Sequence, residues 1–252
     1  MAAIAPGAGV ALITLFDEDG AVLYDETAQL ALRLTEAGAA SVLVAGTSGE
    51  FWALEDQERI ALTAAVRQAT PGVPLIAHVG GVTADRGQEL VRAMLDAGAD
   101  AIIALPLDVQ SDQIPAYYEA ISSASSAPVL AYHLPQAGAV VELEQLEGLG
   151  VAGIKDSSGD GERLAWQVST GIETYTGAPT LSGLAADLGA AGTMLGVANA
   201  MPEDARLAFA GDREALRRLA ANSRAAVERF PQGLKEMTAQ RWGTPPRIRP
   251  HH

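Results

Sequence analysis

The chain has 252 residues, 48% of them hydrophobic but only 5% aromatic, with no cysteine and a formal net charge of −14. That length supports one large core built from Ala, Val, Leu and Ile, and a chain without cysteine excludes disulfides and thiolate metal sites. The acidic balance argues against nucleic acid or anionic membrane as a partner, and no apolar run reaches the roughly 18 residues of a membrane span. The N-terminus places no charged stretch before an apolar one, so a cytoplasmic protein is expected. The closing His251-His252 carry no weight in this reading.

Short apolar runs recur at residues 9–16, 40–46, 74–80, 100–107, 128–134, 151–156, 173–178 and 192–199. Each is nearly continuous in Val, Ile, Leu and Ala, as strands buried on both faces are. Helical patterns lie between them. Residues 25–37 carry a stripe of Leu30, Leu34 and Ala37. Thr83 opens a helix over 83–97 that stops before Gly98, and Ser111 opens one over 111–125 in the same way. Pro179 and Pro202 fall where first-turn prolines of later helices belong.

Strand followed by helix, repeated eight times, predicts an α/β fold of the parallel (β/α)8 barrel (TIM barrel) type over residues 1–211. An open doubly wound sheet is the rival, but it would carry a glycine fingerprint after its first strand, where this chain has Asp17-Glu18-Asp19-Gly20. Residues 213–241 read as two further helices about Pro231. Residues 212–252 are therefore expected to form a C-terminal helical extension packed on the barrel, not a second domain.

Chemistry in such a barrel sits at the C-terminal ends of the strands. There the sequence offers Gly46-Thr47-Ser48-Gly49-Glu50 after strand two, His78 on strand three and Leu107-Asp108 after strand four. Tyr132-His133-Leu134-Pro135 ends strand five, and Lys155 ends strand six. Of the 17 lysine and arginine side chains, only Lys155 and Lys235 are lysine. Lysine can lose its proton and attack a carbonyl, which arginine does not do. Lys155 thus reads as a Schiff-base amine for a 2-keto acid, Tyr132 as a proton shuttle one strand away, and Thr47-Ser48 as hydroxyls and backbone N–H groups for a carboxylate. Each feature alone also fits a bland role: a solvent-facing lysine, a core tyrosine, a plain turn. Found together at one barrel face, they favour chemistry. Lys235 is expected on the outer helices.

The chain resembles the dihydrodipicolinate synthase/N-acetylneuraminate lyase family of class I aldolases. Gly46-Thr47-Ser48-Gly49-Glu50 is similar to its G-[TS]-T-G-E loop, Tyr132-His133-Leu134-Pro135 to its Y-[NH]-[VI]-P segment, and 153–160 to its G-[IL]-K-[DE]-[AS]-[ST]-G-D segment. Gly98-Ala99-Asp100-Ala101 and 197–202 match weaker family features. The resemblance implies Lys155 as the Schiff-base lysine, Tyr132 as the relay phenol, and Thr47 and Ser48 as the pyruvoyl carboxylate site, with Gly46, Gly177 and Met194 around the substrate. His78 and His133 are possible accessory residues, His133 reading more simply as a hydrogen-bonded loop residue.

Two departures stand out. The family's paired aromatics after strand four are replaced by Pro106-Leu107-Asp108, and the arginine of aspartate-semialdehyde synthases by Gln136-Ala137-Gly138. The resemblance implies a class I lyase that reversibly cleaves a 2-keto-3-deoxy acid to pyruvate and an aldehyde. No metal and no cofactor are expected, and a homodimer or homotetramer is. A Schiff-base dehydratase of a keto-deoxy sugar acid, a dihydrodipicolinate synthase, and a homologue that binds a keto acid without turnover are the alternatives. The route left to a synthase is an arginine from elsewhere, such as Arg86 after strand three, swinging into the mouth.

Overall fold

Continuous apolar runs need two faces to bury, and the computed structural model, which describes residues 4–250, supplies both. The strands are β1 (Gly7–Ala11), β2 (Val42–Val44), β3 (Leu75–Gly80), β4 (Ala101–Leu105), β5 (Val129–His133), β6 (Gly153–Asp156), β7 (Glu173–Thr176) and β8 (Gly192–Leu195). They close into a barrel in sequence order, every neighbouring pair parallel, with β8 returning to β1. The closing histidines, 251 and 252, lie outside the described residues.

Side chains alternate across the sheet. One set, including Val10, Val42, Ala77, Val79, Ile102, Ala131 and Ile154, meets the helices outside. The other, including Ala11, Leu43, Ile76, Ile103, Leu130, Tyr132, Tyr175 and Met194, fills the barrel. This alternation decides what faces the mouth. Tyr132 points inward, and Lys155, its register partner on β6, shares that face. His78 lies between outward Ala77 and Val79, so it too points inward.

The helices are α1 (Tyr24–Glu36), α2 (Asp56–Ala69), α3 (Ala84–Asp96), α4 (Ile114–Ala124), α5 (Gly161–Ser169), α6 (Ser182–Leu188), α7 (Pro202–Phe209), α8 (Arg213–Glu228) and α9 (Gln232–Trp242). Thr83 caps α3 by accepting from the Arg86 N–H, and Pro202 is the first residue of α7. Ser111 instead begins a 3-10 turn at Ser111–Gln113, and α4 proper starts at Ile114. Pro179 likewise opens a 3-10 turn, Pro179–Leu181, ahead of α6.

Every strand is shorter than its apolar run, and β1 and β8 each stop well before the run ends. β1 ends at Ala11, yet Leu12, Ile13, Leu15 and Phe16 stay buried. The Leu12 N–H still donates to the Leu43 carbonyl on β2, but further on the backbone takes partners outside the sheet: Thr27 Oγ1 accepts from the Leu15 N–H, and the Leu23 N–H donates to the Leu15 carbonyl. Beyond β8 the chain makes a buried 3-10 turn at Val197–Asn199. Asn199 ties that turn to β1, accepting from the Ile13 N–H and donating to the Ala11 and Gly196 carbonyls.

Lys235 corrects the expectation of an outer position. It lies on α9, beyond the barrel, but its side chain is completely buried and forms an ion pair with Glu50. Its ammonium lies 4.3 Å from the centre of the Phe16 ring and donates to the Arg247 carbonyl. The last segment is held as firmly: Arg249 makes two hydrogen bonds to Glu58, at 2.6 and 2.8 Å, and donates to the Gly20 and Ala53 carbonyls.

Candidate active site

A cleft of about 590 Å³ opens at the C-terminal ends of the strands, with Lys155 and Tyr132 on its floor. A larger hollow, about 980 Å³, lies between the 17–20 turn and residues 246–250. It contains neither lysine and no group suited to carbonyl chemistry, so side-chain chemistry, not size, selects the smaller cleft.

Lys155 is the second-last residue of β6, 3% exposed, beside Tyr132 at 2%. Its Nζ donates to Tyr132 Oη over 3.0 Å and lies 4.2 Å from the ring centre. Thr47 Oγ1 is 3.4 Å from the same phenol oxygen. Burial alone would push the Tyr132 phenol up. The charge on Lys155 and side-chain hydrogen bonds with Thr47, Lys155 and Ser157 outweigh it and hold the phenol below its ordinary pKa of 10.0. The arrangement places an amine and an easily ionised phenol within one proton transfer of each other.

The loop after β2 presents Thr47 and Ser48 to the cleft and is bent hard to do so. Ala45 and Glu50 both occupy the left-handed region, at φ 53° and 56°. Gly46 itself does not line the cleft; its carbonyl accepts from the Gly49 and Phe51 N–H groups and so closes the loop. Gly177 and Met194 both line the cleft, from the ends of β7 and β8. A Cβ at Gly177 would lie 2.0 Å from Ser157 Oγ and 3.2 Å from Lys155 Cε, so any side chain there would have to displace Ser157.

The two histidines part company. His133 faces away from the barrel interior, and its Nδ1 accepts from the Val141 N–H at 3.1 Å. It takes no part in the cleft lining. Burial holds it below its ordinary pKa despite neighbouring Asp156. His78 is buried under the floor, its ring centre 4.6 Å from that of Phe51 and 6.2 Å from that of Tyr132. Burial, with Arg59 and Lys155 nearby, pushes its pKa well below 6.5, so it is a neutral ring.

Several positions that border the cleft were not singled out from the sequence. Ser157 is the first residue after β6 and hydrogen bonds to the phenol of Tyr132; its signal was its place two residues after the lysine. Trp52, Val227, Phe230 and Leu234 complete the outer wall together with Leu134 and Val197, and no local motif marks the first four. At the place of the expected aromatics, Leu107 packs on the inner core and Asp108 turns left-handed at φ 59°. Tyr117 and Tyr118 do not substitute. They lie on α4 and donate to the Leu105 and Ala104 carbonyls. Arg86 is committed elsewhere, 2.6 Å from Asp56, and does not line the cleft.

With this geometry in view, comparison with known proteins is specific. The dihydrodipicolinate synthetase family model matches residues 6–240. A 4-hydroxy-tetrahydrodipicolinate synthase from Corynebacterium aurimucosum is 32% identical over 204 residues, covering 77% of this chain and 68% of that protein. A DapA-like lyase of Halobacterium salinarum is 33% identical over 221 residues, covering 79% and 72%. Among solved structures, a dihydrodipicolinate synthase from Bacillus anthracis superposes with a TM-score of 0.85 at 20% identity, covering 97% of this chain and 91% of that one. The N-acetylneuraminate lyase from Fusobacterium nucleatum, solved with pyruvate, gives 0.81 at 21% identity, covering 92% and 86%. At these identities the two structures speak for the fold alone. The family match over nearly the whole barrel carries the assignment: the chain belongs to the dihydrodipicolinate synthetase family of pyruvate-dependent Schiff-base lyases.

Proposed function

We propose that the protein reversibly cleaves a 2-keto-3-deoxy acid to pyruvate and an aldehyde, with Lys155 as the Schiff-base lysine. The observation that carries this reading is the 3.0 Å contact between Lys155 Nζ and Tyr132 Oη on the floor of an open cleft. The neutral amine attacks the C2 carbonyl, the carbinolamine loses water, and an imine forms between Nζ and C2. The C4 hydroxyl then gives up its proton, the C3–C4 bond breaks, and the aldehyde departs while the electron pair stays on C3 as the enamine. Protonation at C3 and attack of water on the imine release pyruvate and restore the lysine.

Tyr132 carries the protons in these steps. Its lowered pKa makes the phenolate accessible as a base, and the neighbouring amine and hydroxyl return the proton. Thr47 and Ser48 hold the carboxylate of the keto acid. Gln136 occupies the region where a semialdehyde carboxylate would need a cation, and its Nε2 already donates to the Ser157 and Ser158 carbonyls. Condensation with aspartate semialdehyde is therefore not the favoured reaction.

Residues 212–252 serve as a helical extension of the 1–211 barrel, since Lys235 and Arg249 are anchored on Glu50 and Glu58. We place the protein in the cytoplasm as a homodimer or homotetramer. Among the described residues no helix is long and apolar enough to cross a membrane. Borohydride reduction in the presence of pyruvate tests the central step. One pyruvate-derived mass should be added, on the peptide that contains Lys155, and Lys155→Arg should add none. Trapping by the Lys155→Arg protein would sink the mechanism.

A further inference from the structure

The cleft divides sharply between floor and wall. All the groups suited to a keto acid lie low, on Lys155, Tyr132, Thr47, Ser48 and Ser157. The wall above them is made of Trp52, Leu134, Val197, Val227, Phe230 and Leu234. Trp52 comes from the loop after β2 and Phe230 from the link between α8 and α9. Their rings meet edge to face at 6.2 Å, which joins barrel and extension into one aromatic surface. Val227 is 69% exposed and Phe230 39%, although both border the cleft. Large apolar side chains left in water beside a reactive centre are surface held ready for an apolar ligand.

The side-chain donors on this wall are already engaged. Gln136 donates to two backbone carbonyls, Ser158 to Asp156, and Ser223 to the Ala220 carbonyl. Among the described residues that line the cleft, Lys155 is the only cation, and it is needed on the floor. A carboxylate on the aldehyde would be left without a partner, and several hydroxyls would lose water for few replacements. An alkyl or aryl group would lose nothing and would cover Val227 and Phe230.

We propose that the aldehyde made or used here is apolar, an aryl or branched alkyl aldehyde, bound against the Trp52–Phe230 pair. The inference rests on the Schiff-base reading above. In the condensing direction the enamine C3 attacks the aldehyde carbon, the C3–C4 bond forms, and the aldehyde oxygen takes a proton. Water then releases the 4-hydroxy-2-oxo acid from Lys155, so atoms balance without a further reactant.

The test measures kcat/KM for addition of pyruvate to benzaldehyde, isobutyraldehyde, D-glyceraldehyde and succinic semialdehyde, with borohydride trapping of pyruvate run alongside. The two apolar aldehydes should exceed the others by at least about tenfold, the usual worth of one well-filled apolar subsite. Phe230→Ala should reduce the preference for benzaldehyde over D-glyceraldehyde by about the same factor. Val227→Arg, on an exposed helical position that suits arginine, should raise the relative rate with succinic semialdehyde. Intact pyruvate trapping with equal or better use of D-glyceraldehyde or succinic semialdehyde would overturn this inference alone. Absence of trapping in the unaltered protein would overturn the Schiff-base reading and this inference with it.

Discussion

Lys155 and Tyr132 are register partners on adjacent strands, and their side chains meet at 3.0 Å on the inner face of the barrel. A parallel register places their Cα atoms side by side, so both side chains emerge at the same height. The pair is thus fixed by the sheet itself and needs no loop to bring it together. Rigid placement of acid–base groups is what makes proton transfer fast.

Removing only the phenol hydroxyl should therefore be informative. Tyr132→Phe keeps the ring, which packs in the inner core, so the fold should persist. Turnover should fall by about 10²–10⁴-fold, the worth of a positioned proton-transfer group. With Leu107-Asp108 in place of aromatics, and Tyr117 and Tyr118 bonded to β4 carbonyls, the loss should lie toward the upper end. An unchanged rate in steady-state assays would move the relay to water or Ser157.

The phenol also has a spectroscopic signature. Of the five tyrosines, burial pushes Tyr24, Tyr117, Tyr118 and Tyr175 up. Only Tyr132 is held below 10.0. Absorbance titration of the folded protein should show one tyrosinate forming before pH 10, and Tyr132→Phe should abolish that first step. Five tyrosines ionising together, or an early step that survives the substitution, would mean that the Lys155 charge does not reach the phenol.

Much of this was legible in the chain. The strands announced themselves because both of their faces are buried, and Lys155 because lysine is rare in the sequence. The ends of the runs read as strand for the same reason: residues 12–16 and 197–199 are mostly apolar because they are buried, whether or not they are strand. The outer wall was hidden. Trp52, Leu134, Val197 and Phe230 come from four separate connections, and nothing in their local spacing marks a shared surface. Lys235 reads as an outer residue in the sequence because its partner Glu50 lies far away along the chain, in the glycine-flanked loop after β2.

Gly177 offers a steric test of the floor. A methyl group there would lie 2.0 Å from Ser157 Oγ and 3.2 Å from Lys155 Cε. Gly177→Ala should slow pyruvate trapping at least about tenfold, because reactive geometry tolerates displacements well under 1 Å. Ser157→Gly in the same chain removes the obstructing side chain and should recover much of that rate. Stopped trapping with time-resolved quenching and mass detection reads both. If Gly177→Ala traps at the normal rate, Ser157 is free to move and does not shape the floor.

The second lysine tests the scaffold. Burial lowers Lys235 from 10.5 to about 8 even with Glu50 opposing. It stays inert by geometry, enclosed by Glu50, Phe16 and the Arg247 carbonyl. Its ion pair ties α9 to the loop that carries Thr47 and Ser48, and the Arg249 N–H donates to the other Glu50 oxygen at 3.1 Å. Lys235→Met leaves that carboxylate buried without its counter-ion, and should destabilise the fold by about 3–5 kcal/mol. Adding Glu50→Gln should recover part of the loss, because the uncompensated charge is then gone. The pH dependence has a definite sign. Between about pH 8 and 10.5 the unfolded lysine still holds the proton that the folded one has released, so the unfolded state binds more protons and stability rises with pH. The difference in urea midpoint between the unaltered protein and Lys235→Met should therefore widen across that window. A difference that narrows would show that Glu50 outweighs burial at Lys235, and a double variant no more stable than Lys235→Met would show that the buried Glu50 carboxylate does not depend on the lysine.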